Sequence, residues 1–270
     1  MKIVMLCGDS PNQVALANLL HQELGVDKLI VWSPVRARNN VSWNFINLGK
    51  RLFLGLISLQ YRRAWFGMLS HFSKLYSSFP ITPLVITSDI NSPEVANLIM
   101  NLEDTLIVVS GTNLLSESLL NLIQEGSKVI NLHTGISPYV KGGPNCTNWC
   151  LANNQLDRIG NTVMWIDSGI DSGNLISTEQ TDLKGVNSLL ELHIRVMEHA
   201  HILCIRAITQ ILSGKTVPSV PQENFAERNL FLSKDWVLVV RIKGLVHFWI
   251  RFKFRRNASL AKEKLELVSL

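Results

Sequence analysis

The sequence predicts an α/β protein built on an open, doubly wound, mostly parallel sheet, with a short C-terminal appendage. The start of the chain carries the first unit of such a sheet: the apolar run Ile3–Cys7 leads through the turn Gly8–Asn12 into a helical pattern over Gln13–Leu24. Further short apolar runs, typical of buried strands, follow at intervals along the chain. Pro218 and Pro221 then mark a linker, which indicates where the appendage begins.

Length and composition fit one folded core plus this appendage. The chain has 270 residues, of which 47% are hydrophobic, so disorder is not expected. We place the main domain at residues 1–215 and the appendage at residues 216–270. The apolar start, Met1–Gly8, is too short for a signal peptide, and no uncharged apolar run reaches the roughly 18 residues that span a bilayer. We therefore expect a cytoplasmic protein.

The cysteines do not predict a metal site. Cys146 and Cys150 would lie one helical turn apart, but Cys7 and Cys204 do not supply a second pair at metal-ligand spacing. We expect all four to be structural cysteines in a reducing compartment, with no bound metal.

Positive charge is concentrated in two intervals. The formal net charge is +5, and neither Asp nor Glu occurs between Asp27 and Asp89 or from Trp236 to Lys262. The cations in these intervals are Lys28, Arg36, Arg38, Lys50, Arg51, Arg62, Arg63 and Lys74, and then Arg241, Lys243, Arg251, Lys253, Arg255, Arg256 and Lys262. Such intervals fit an anionic partner, for which a nucleotide-linked substrate, RNA and an anionic membrane all qualify, or simply solvated faces.

After a second strand at Leu29–Trp32, a long amphipathic pattern predicts a helix over Gly49–Tyr76, with a break at Gly55 or Gly67 as an option. Its apolar positions recur every three or four residues, from Phe53 through Tyr61 and Trp65 to Phe72. Two interpretations stay open: a core-facing helix with a wet basic side, or an insertion that faces substrate or membrane.

The middle of the chain continues the alternation of strands and helices. Leu84–Ile86 reads as a strand, and Asn91–Leu102 as a helix with Pro93 in its first turn. Thr105–Ser110 reads as another buried strand. It ends in the loop Gly111–Leu115, and a helix follows from Ser116.

The run Lys128–Leu132 reads as a buried strand, and the most informative polar residues lie at its end. Period-two alternation places Asn131 and His133 on the same side of this strand. An amide and an imidazole side by side suit a reaction at a carbonyl carbon. After a further strand at Thr162–Ile166, a Gly/Ser-rich loop holds Asp167 and Asp171, and either carboxylate could orient the histidine and raise its pKa.

The rest of the chain is less sharply patterned. A strand is predicted at Thr178–Leu183 and a helix at Ser188–Ser213, on which His193, His199 and His201 read as core or solvated histidines. Helix and strand stay open for Asn229–Arg256, as does the choice between packing on the main domain or a second subunit and lying on an anionic membrane.

The central motifs resemble those of the folate-dependent formyltransferases, which act on glycinamide ribonucleotide, methionyl-tRNA and sugar nucleotides. The ordered matches are Asn131-x-His133, Ser137-Pro138, Lys141-Gly142, a Trp/Leu helix, Gly160-Asn161-Thr162-Val163 and Gly169-Ile170-Asp171-x-Gly173. The resemblance, closest to the compact sugar N-formyltransferases, implies a Rossmann-like formyltransferase catalytic domain. One departure is Gly135, which stands where the family has serine, with Ser137 where leucine is usual.

The resemblance also implies the site residues. Asn131, His133 and Asp171 would be catalytic, with Asp167 as the competing acid. The co-substrate would be 10-formyltetrahydrofolate, without a metal. Its pocket would be formed by Gly111, Leu114, Leu115, Ile166, Asp167, Gly169 and Ile170, and the acceptor would contact Gly8, Ser10, Asn12 and Lys141. The loop at Gly8 could hold an anion at the start of the helix.

Formyl transfer needs a neutral amine, a donor to the tetrahedral oxyanion and a proton route to the folate nitrogen. In this scheme Asn131 donates to the oxyanion, and His133 takes the proton of the amine or, when charged, donates to the oxyanion. Asp171 orients His133 and stabilises its cation.

For the acceptor we favour the amine of a nucleotide-linked amino sugar. About fifty residues follow Pro218, too few for the domain with which the tRNA enzymes grip RNA, so no nucleic-acid partner is expected. An amino acid, a ribonucleotide amine and hydrolysis of the same folate are alternatives, and a degenerate, non-enzymatic binding protein is another. Peripheral membrane contact and a homodimer stay open.

Overall fold

A seven-stranded sheet forms the centre of the protein. A computed structural model describes residues 1–34, 48–100, 102–124, 127–143, 145–254 and 265–270. The strands of the sheet are β1 (Lys2–Gly8), β2 (Lys28–Trp32), β3 (Leu84–Thr87), β4 (Thr105–Ser110), β5 (Ser127–His133), β7 (Gly160–Trp165) and β8 (Leu175–Gln180). A separate two-stranded pair joins β6 (Lys141–Gly142) to β9 (Leu230–Phe231).

The sheet order is β3-β2-β1-β4-β5-β7-β8. The first five strands are mutually parallel, while β7 runs antiparallel to both β5 and β8. Strand order reverses direction between β1 and β4, which makes that point the topological switch of a doubly wound sheet. The predicted fold class is confirmed.

Helices cover both faces of the sheet. The described α-helices are α1 (Pro11–Leu24), α2 (Leu48–Leu75), α3 (Pro93–Met100), α4 (Glu117–Gln124), α5 (Cys146–Ala152), α6 (Leu189–Leu212) and α7 (Leu238–Phe248). Apolar residues of α1 and α6 pack on one face of the sheet, and those of α3 and α4 pack on the other. Helix α6 begins where sequence chemistry favours it, because the Ser188 hydroxyl accepts from the Glu191 backbone N–H at 3.1 Å.

Helix α2 runs without a break through Gly55 and Gly67. It packs on α1 and α6, and Met68 and Phe72 are buried in a small core between these helices. The same helix brings Trp65 to the cavity described below. The helix is therefore core-facing along part of its length and site-facing at one residue.

The structure corrects one strand and settles the pattern of the tail. The last sheet strand is Leu175–Gln180, not Thr178–Leu183, because the fully buried Leu175 and Ile176 extend the pairing with β7. The stretch left open between helix and strand, Asn229–Arg256, contains the short β9, then α7 and a π-helix over Trp249–Phe254.

The tail packs against the rest of the protein through buried Phe248, Phe252 and Val268. Val268 also exchanges hydrogen bonds with Thr178 on β8. Arg36, Arg38, Arg255, Arg256 and Lys262 lie outside the described residues. None of the described helices combines the length and the apolar character that crossing a bilayer requires.

Candidate active site

A cavity of about 720 Å³ opens at the carboxyl ends of β4 and β5, beside the start of α1. Ligands bind at this place in doubly wound sheets because the loops diverge where strand order reverses. The cavity wall includes Asn131, His133 and Asp171. We call these three residues the site cluster.

The site cluster is held together by hydrogen bonds to one carboxylate. Asn131 Nδ2 donates to Asp171 Oδ1 at 3.2 Å, and Asp171 Oδ2 lies 3.3 Å from Nδ1 of His133. The backbone N–H of Gly142 also donates to Asp171 Oδ2, at 3.0 Å. Because the side chains of His133 and Asp171 are only 9% and 15% exposed, these contacts are shielded from bulk water. The structure thus brings together the three residues that the motifs picked out.

Asp171 reaches the cluster from a constrained loop, residues 166–173, which we call the aspartate loop. The backbone φ of Asp171 is +47°, in the left-handed region that residues other than glycine adopt rarely. The side-chain amide of buried Gln222 donates to the carbonyl oxygens of Asp171 at 2.8 Å and of Gly173 at 2.9 Å. Gln222 was missed at the sequence level, because no spacing links it to a loop about fifty residues earlier.

The competing acid, Asp167, serves the loop itself. Its Oδ1 accepts from the Gly169 N–H at 3.0 Å and from the Ser172 hydroxyl at 2.6 Å. These bonds close a turn at the exposed start of the aspartate loop. Of the two carboxylates, Asp171 is the one that contacts His133.

His133 is poised as a cation. Burial lowers its pKa, but the neighbouring Asp171 carboxylate, with smaller effects of Cys146 and the Val140 carbonyl, raises it to about 10. In the charged ring both nitrogens are donors. Nδ1 faces Asp171, and Nε2 lies 3.0 Å from the Val140 oxygen and 3.5 Å from Cys146 Sγ. At neutral pH the site therefore carries a buried positive charge beside the Asn131 amide.

The departure at Gly135 has a steric reason. A Cβ atom at this position would lie 2.6 Å from Nε2 of His133 and 2.7 Å from the Val140 oxygen. Any side chain would displace the ring or the backbone that it contacts. Glycine thus allows the imidazole to pack between Val140 and Cys146, a contact that sequence reasoning did not find.

Comparison with known proteins finds a family match over part of the chain. Residues 85–208 match the family model for formyl transferase, and this range includes the whole site cluster. The matched part, a little under half of the chain, is therefore similar to a formyl transferase domain. The predicted family resemblance is confirmed.

Among curated proteins, the methionyl-tRNA formyltransferase of Alkaliphilus oremlandii is 28% identical over 144 residues, which cover 53% of this chain and 44% of that protein. The aligned part thus spans less than half the length of this relative. Two solved structures share the fold over 92–93% of this chain.

The first is a sugar N-formyltransferase from Shewanella, with 14% identity, a TM-score of 0.57 and 88% of its chain covered. The second is an N-formyltransferase from Helicobacter canadensis in complex with folinic acid and dTDP-3-aminofucose. It shows 15% identity, a TM-score of 0.57 and 82% of its chain covered. At such identities the likeness shows the fold alone.

All of the residues predicted for the folate line the cavity. They are Gly111, Leu114, Leu115, Ile166, Asp167, Gly169 and Ile170. The loop that carries the two leucines is held by Asn91, whose Nδ2 donates to the Leu114 oxygen at 3.0 Å and whose Oδ1 accepts from the Ser116 N–H at 2.7 Å. In the sequence, Asn91 appears only as the first residue of a predicted helix.

Two of the four residues predicted for the acceptor line the cavity. Ser10 and Asn12 line the cavity together with Gln13 and Trp65, which the sequence did not single out as site residues. Within the described chain, Asn12 Oδ1 and Gln13 Oε1 are buried oxygens without a hydrogen-bond partner. Buried acceptors of this kind are costly unless a donor meets them. They are therefore suited to N–H or O–H groups of a ligand.

Gly8 and Lys141, also predicted for the acceptor, do not line this cavity. A Cβ atom on Gly8 would lie 2.5 Å from the Gly111 oxygen, so glycine serves the close approach of two strand ends. Lys141 belongs to β6 and pairs there with Leu230. Across the described residues, no group of three or more His, Cys, Asp and Glu side chains could hold a metal ion.

Proposed function

We propose that this protein transfers a formyl group from 10-formyltetrahydrofolate to a primary amine. The observation that carries the proposal is the site cluster, in which one carboxylate contacts both a cationic histidine and an amide on the cavity wall, within the residues that match formyl transferase. These groups match the three demands of acyl transfer: a donor to the oxyanion, nearby positive charge and a route for one proton.

The chemistry assigns one task to each group. The amine attacks the formyl carbon, a C–N bond forms, and negative charge develops on the formyl oxygen. Asn131 donates to this oxygen, and the His133 cation stabilises it electrostatically. Because the pKa of His133 is raised to about 10, stabilisation by the charged ring is favoured over removal of the amine proton by a neutral ring.

Proton balance then involves Asp171, the carboxylate of the cluster. It accepts the proton that the attacking amine loses and returns it to the folate nitrogen as the old C–N bond breaks. The products are the formamide and tetrahydrofolate, and neither a metal nor a covalent enzyme intermediate takes part in this route.

For the acceptor we favour a nucleotide-linked amino sugar. The unpartnered oxygens of Asn12 and Gln13 suit sugar hydroxyl and amine donors, and Trp65 offers an aromatic surface beside them. The cavity, at about 720 Å³, lies in the range of sites for drug-sized ligands. The ligands named for the Helicobacter canadensis structure, folinic acid and dTDP-3-aminofucose, are of the proposed classes.

Calorimetric titration with 5-formyltetrahydrofolate, a stable relative of the donor, is the first test. Saturable binding is expected in this titration. In an assay of formyl transfer, Asn131→Ala should lose activity. No binding by a folded sample would refute the enzyme proposal and favour a binding protein.

A release assay for tetrahydrofolate then separates the acceptors. Dependence on a dTDP-amino sugar supports the proposal. Dependence on methionyl-tRNA, glycinamide ribonucleotide or an amino acid would replace the acceptor, and release without any amine would indicate a hydrolase.

A further inference from the structure

Helix α7 and the π-helix after it have two unlike faces. The inner face carries Gly244, Phe248 and Phe252, all buried against the rest of the protein. The helix approaches so closely that a Cβ atom on Gly244 would lie 2.4 Å from the Tyr61 hydroxyl oxygen. His247 Nδ1 lies 2.9 Å from a carbonyl oxygen of α5. The inner face is therefore firmly packed, and the orientation of the opposite face is fixed.

The opposite face is apolar although it is exposed. Val239, Val246, Trp249 and Ile250 are 59%, 46%, 48% and 39% exposed, and their three-, four- and seven-residue spacings place them on one side of the helix. The exposed side chain of Lys243 lies along the same side. We call these five residues the outer face. Exposed apolar side chains that cluster on one face, rather than scatter singly, are typical of an interaction surface.

The charge of the sequence segment that carries the outer face points to the kind of partner. From Trp236 to Lys262 the chain carries seven cations and no Asp or Glu. Two of these cations are turned to local partners, since Arg241 contacts Ser58 and Arg251 contacts Asn154. Lys243 is exposed on the outer face itself, and α2, which packs on α7, carries exposed Arg62 and Arg63.

A second copy of this chain is the weaker fit. Twofold pairing through the outer face would bring two cation-bearing, acid-free segments together without counter-charges. An anionic lipid surface supplies both an apolar layer for valine and isoleucine and negative headgroups for lysine and arginine. We propose that the outer face docks the protein on an anionic membrane surface, with α7 lying in the plane of the headgroups.

Vesicle flotation with the full chain tests this directly. We expect binding to vesicles of phosphatidylcholine with phosphatidylglycerol, little binding to phosphatidylcholine alone, and weakening by salt. Val246→Ser with Ile250→Ser should lower the apparent affinity about tenfold or more. Lys243→Gln should lower it about fivefold.

The matched control is Leu84→Ser with Ile86→Ser. Both residues are exposed, at 43% and 66%, but lie on β3, at the sheet edge away from β7 and β8. This variant should bind vesicles like the unaltered protein. Circular dichroism confirms that each variant is folded, and solution formyl transfer should be unchanged in both, which separates docking from the proposed reaction.

Three results would overturn the inference. The first is that the unaltered protein does not float with anionic vesicles at low ionic strength, and the second is that the outer-face and control variants bind vesicles equally. The third is a dimer in analytical ultracentrifugation that Val246→Ser with Ile250→Ser dissociates, together with no vesicle binding. The outer face would then join two copies.

Discussion

Replacing Asp171 by Asn removes one negative charge from the site cluster with little change in volume. The carboxylate oxygens contact Asn131, the Gly142 N–H and His133, and an amide can keep only part of this set. The φ of +47° is tolerated by asparagine as well as by aspartate. We therefore expect a folded variant with two defects, the lost negative charge beside His133 and the lost proton acceptor.

The expected size of the loss in activity follows from the pKa of His133. Its pKa is about 10, above the ordinary 6.5, even though burial acts to lower it. Without the Asp171 charge the burial effect dominates, so the pKa should fall to 6.5 or below. A fall of about 3.5 pH units is worth about 5 kcal/mol to the imidazolium at about 1.4 kcal/mol per unit. The kcat of formyl transfer should drop about 100-fold or more, as when an oxyanion site is impaired.

The sign of the pH dependence is a separate check. In the unaltered protein the raised pKa of His133 contributes stability that is complete below about pH 6.5 and is lost as the pH rises through about 10. In Asp171→Asn this contribution is absent. The two proteins should therefore differ most in free energy of unfolding near pH 6 and converge toward pH 10.

Proton NMR titration of the histidine Cε1–H resonances measures the pKa, and His133→Gln assigns the signal. Asp167→Asn is the control, because the same substitution four residues earlier touches the loop turn and not His133. It should leave the His133 pKa unchanged. An unchanged His133 pKa in Asp171→Asn, or equal losses of activity in the two variants, would refute the reasoning.

Three further perturbations test other parts of the structure. Gly135→Ala places a Cβ atom 2.6 Å from Nε2 of His133, so the kcat of formyl transfer should fall at least tenfold. In the control Gly143→Ala the new Cβ atom has no neighbour within 4 Å, so kcat should be unchanged in the same assay. Gln222→Leu removes two hydrogen bonds to the aspartate loop and should cost about 2 kcal/mol in urea unfolding and lower hydrogen-exchange protection there, and unchanged protection would contradict this role. Buried His193 and His201 have pKa values lowered to about 4 and about 3, so the unfolded chain binds protons at these residues first as the pH falls. The free energy of unfolding should therefore fall by up to about 2.7 kcal/mol per pH unit from about pH 6 toward 4. Urea unfolding measures this, and a free energy that does not change over this pH range would contradict the prediction.

Residues close together in the sequence, or bound to a periodic pattern, were predictable. Short apolar runs predicted the parallel strands, and the period-two alternation on β5 placed Asn131 and His133 on the same side of that strand. The motif order brought Asp171 to them across about forty residues. These inferences succeed because period and burial are local properties of a strand.

Contacts made through a third element were not predictable. Gln222 holds the aspartate loop from beyond the linker, and Cys146 meets His133 from the first turn of α5. Neither residue type is specific for its role, so no local signal exists. The bounds of β8 were predicted wrongly for a similar reason. The start of this strand depends on its pairing with β7, and the sequence prediction began at the polar stretch Thr178–Thr181 and left out the buried Leu175 and Ile176.

The outermost strand of the sheet on one side, β8, does not meet solvent with a bare backbone. Val220 bridges to Leu175, and Val268 exchanges hydrogen bonds with Thr178. Two stretches of the tail thus occupy N–H and C=O groups that would otherwise be free to pair with a strand of another molecule. Removing residues 265–270 would expose the Thr178 backbone N–H that Val268 now occupies, and we expect edge-to-edge association to increase.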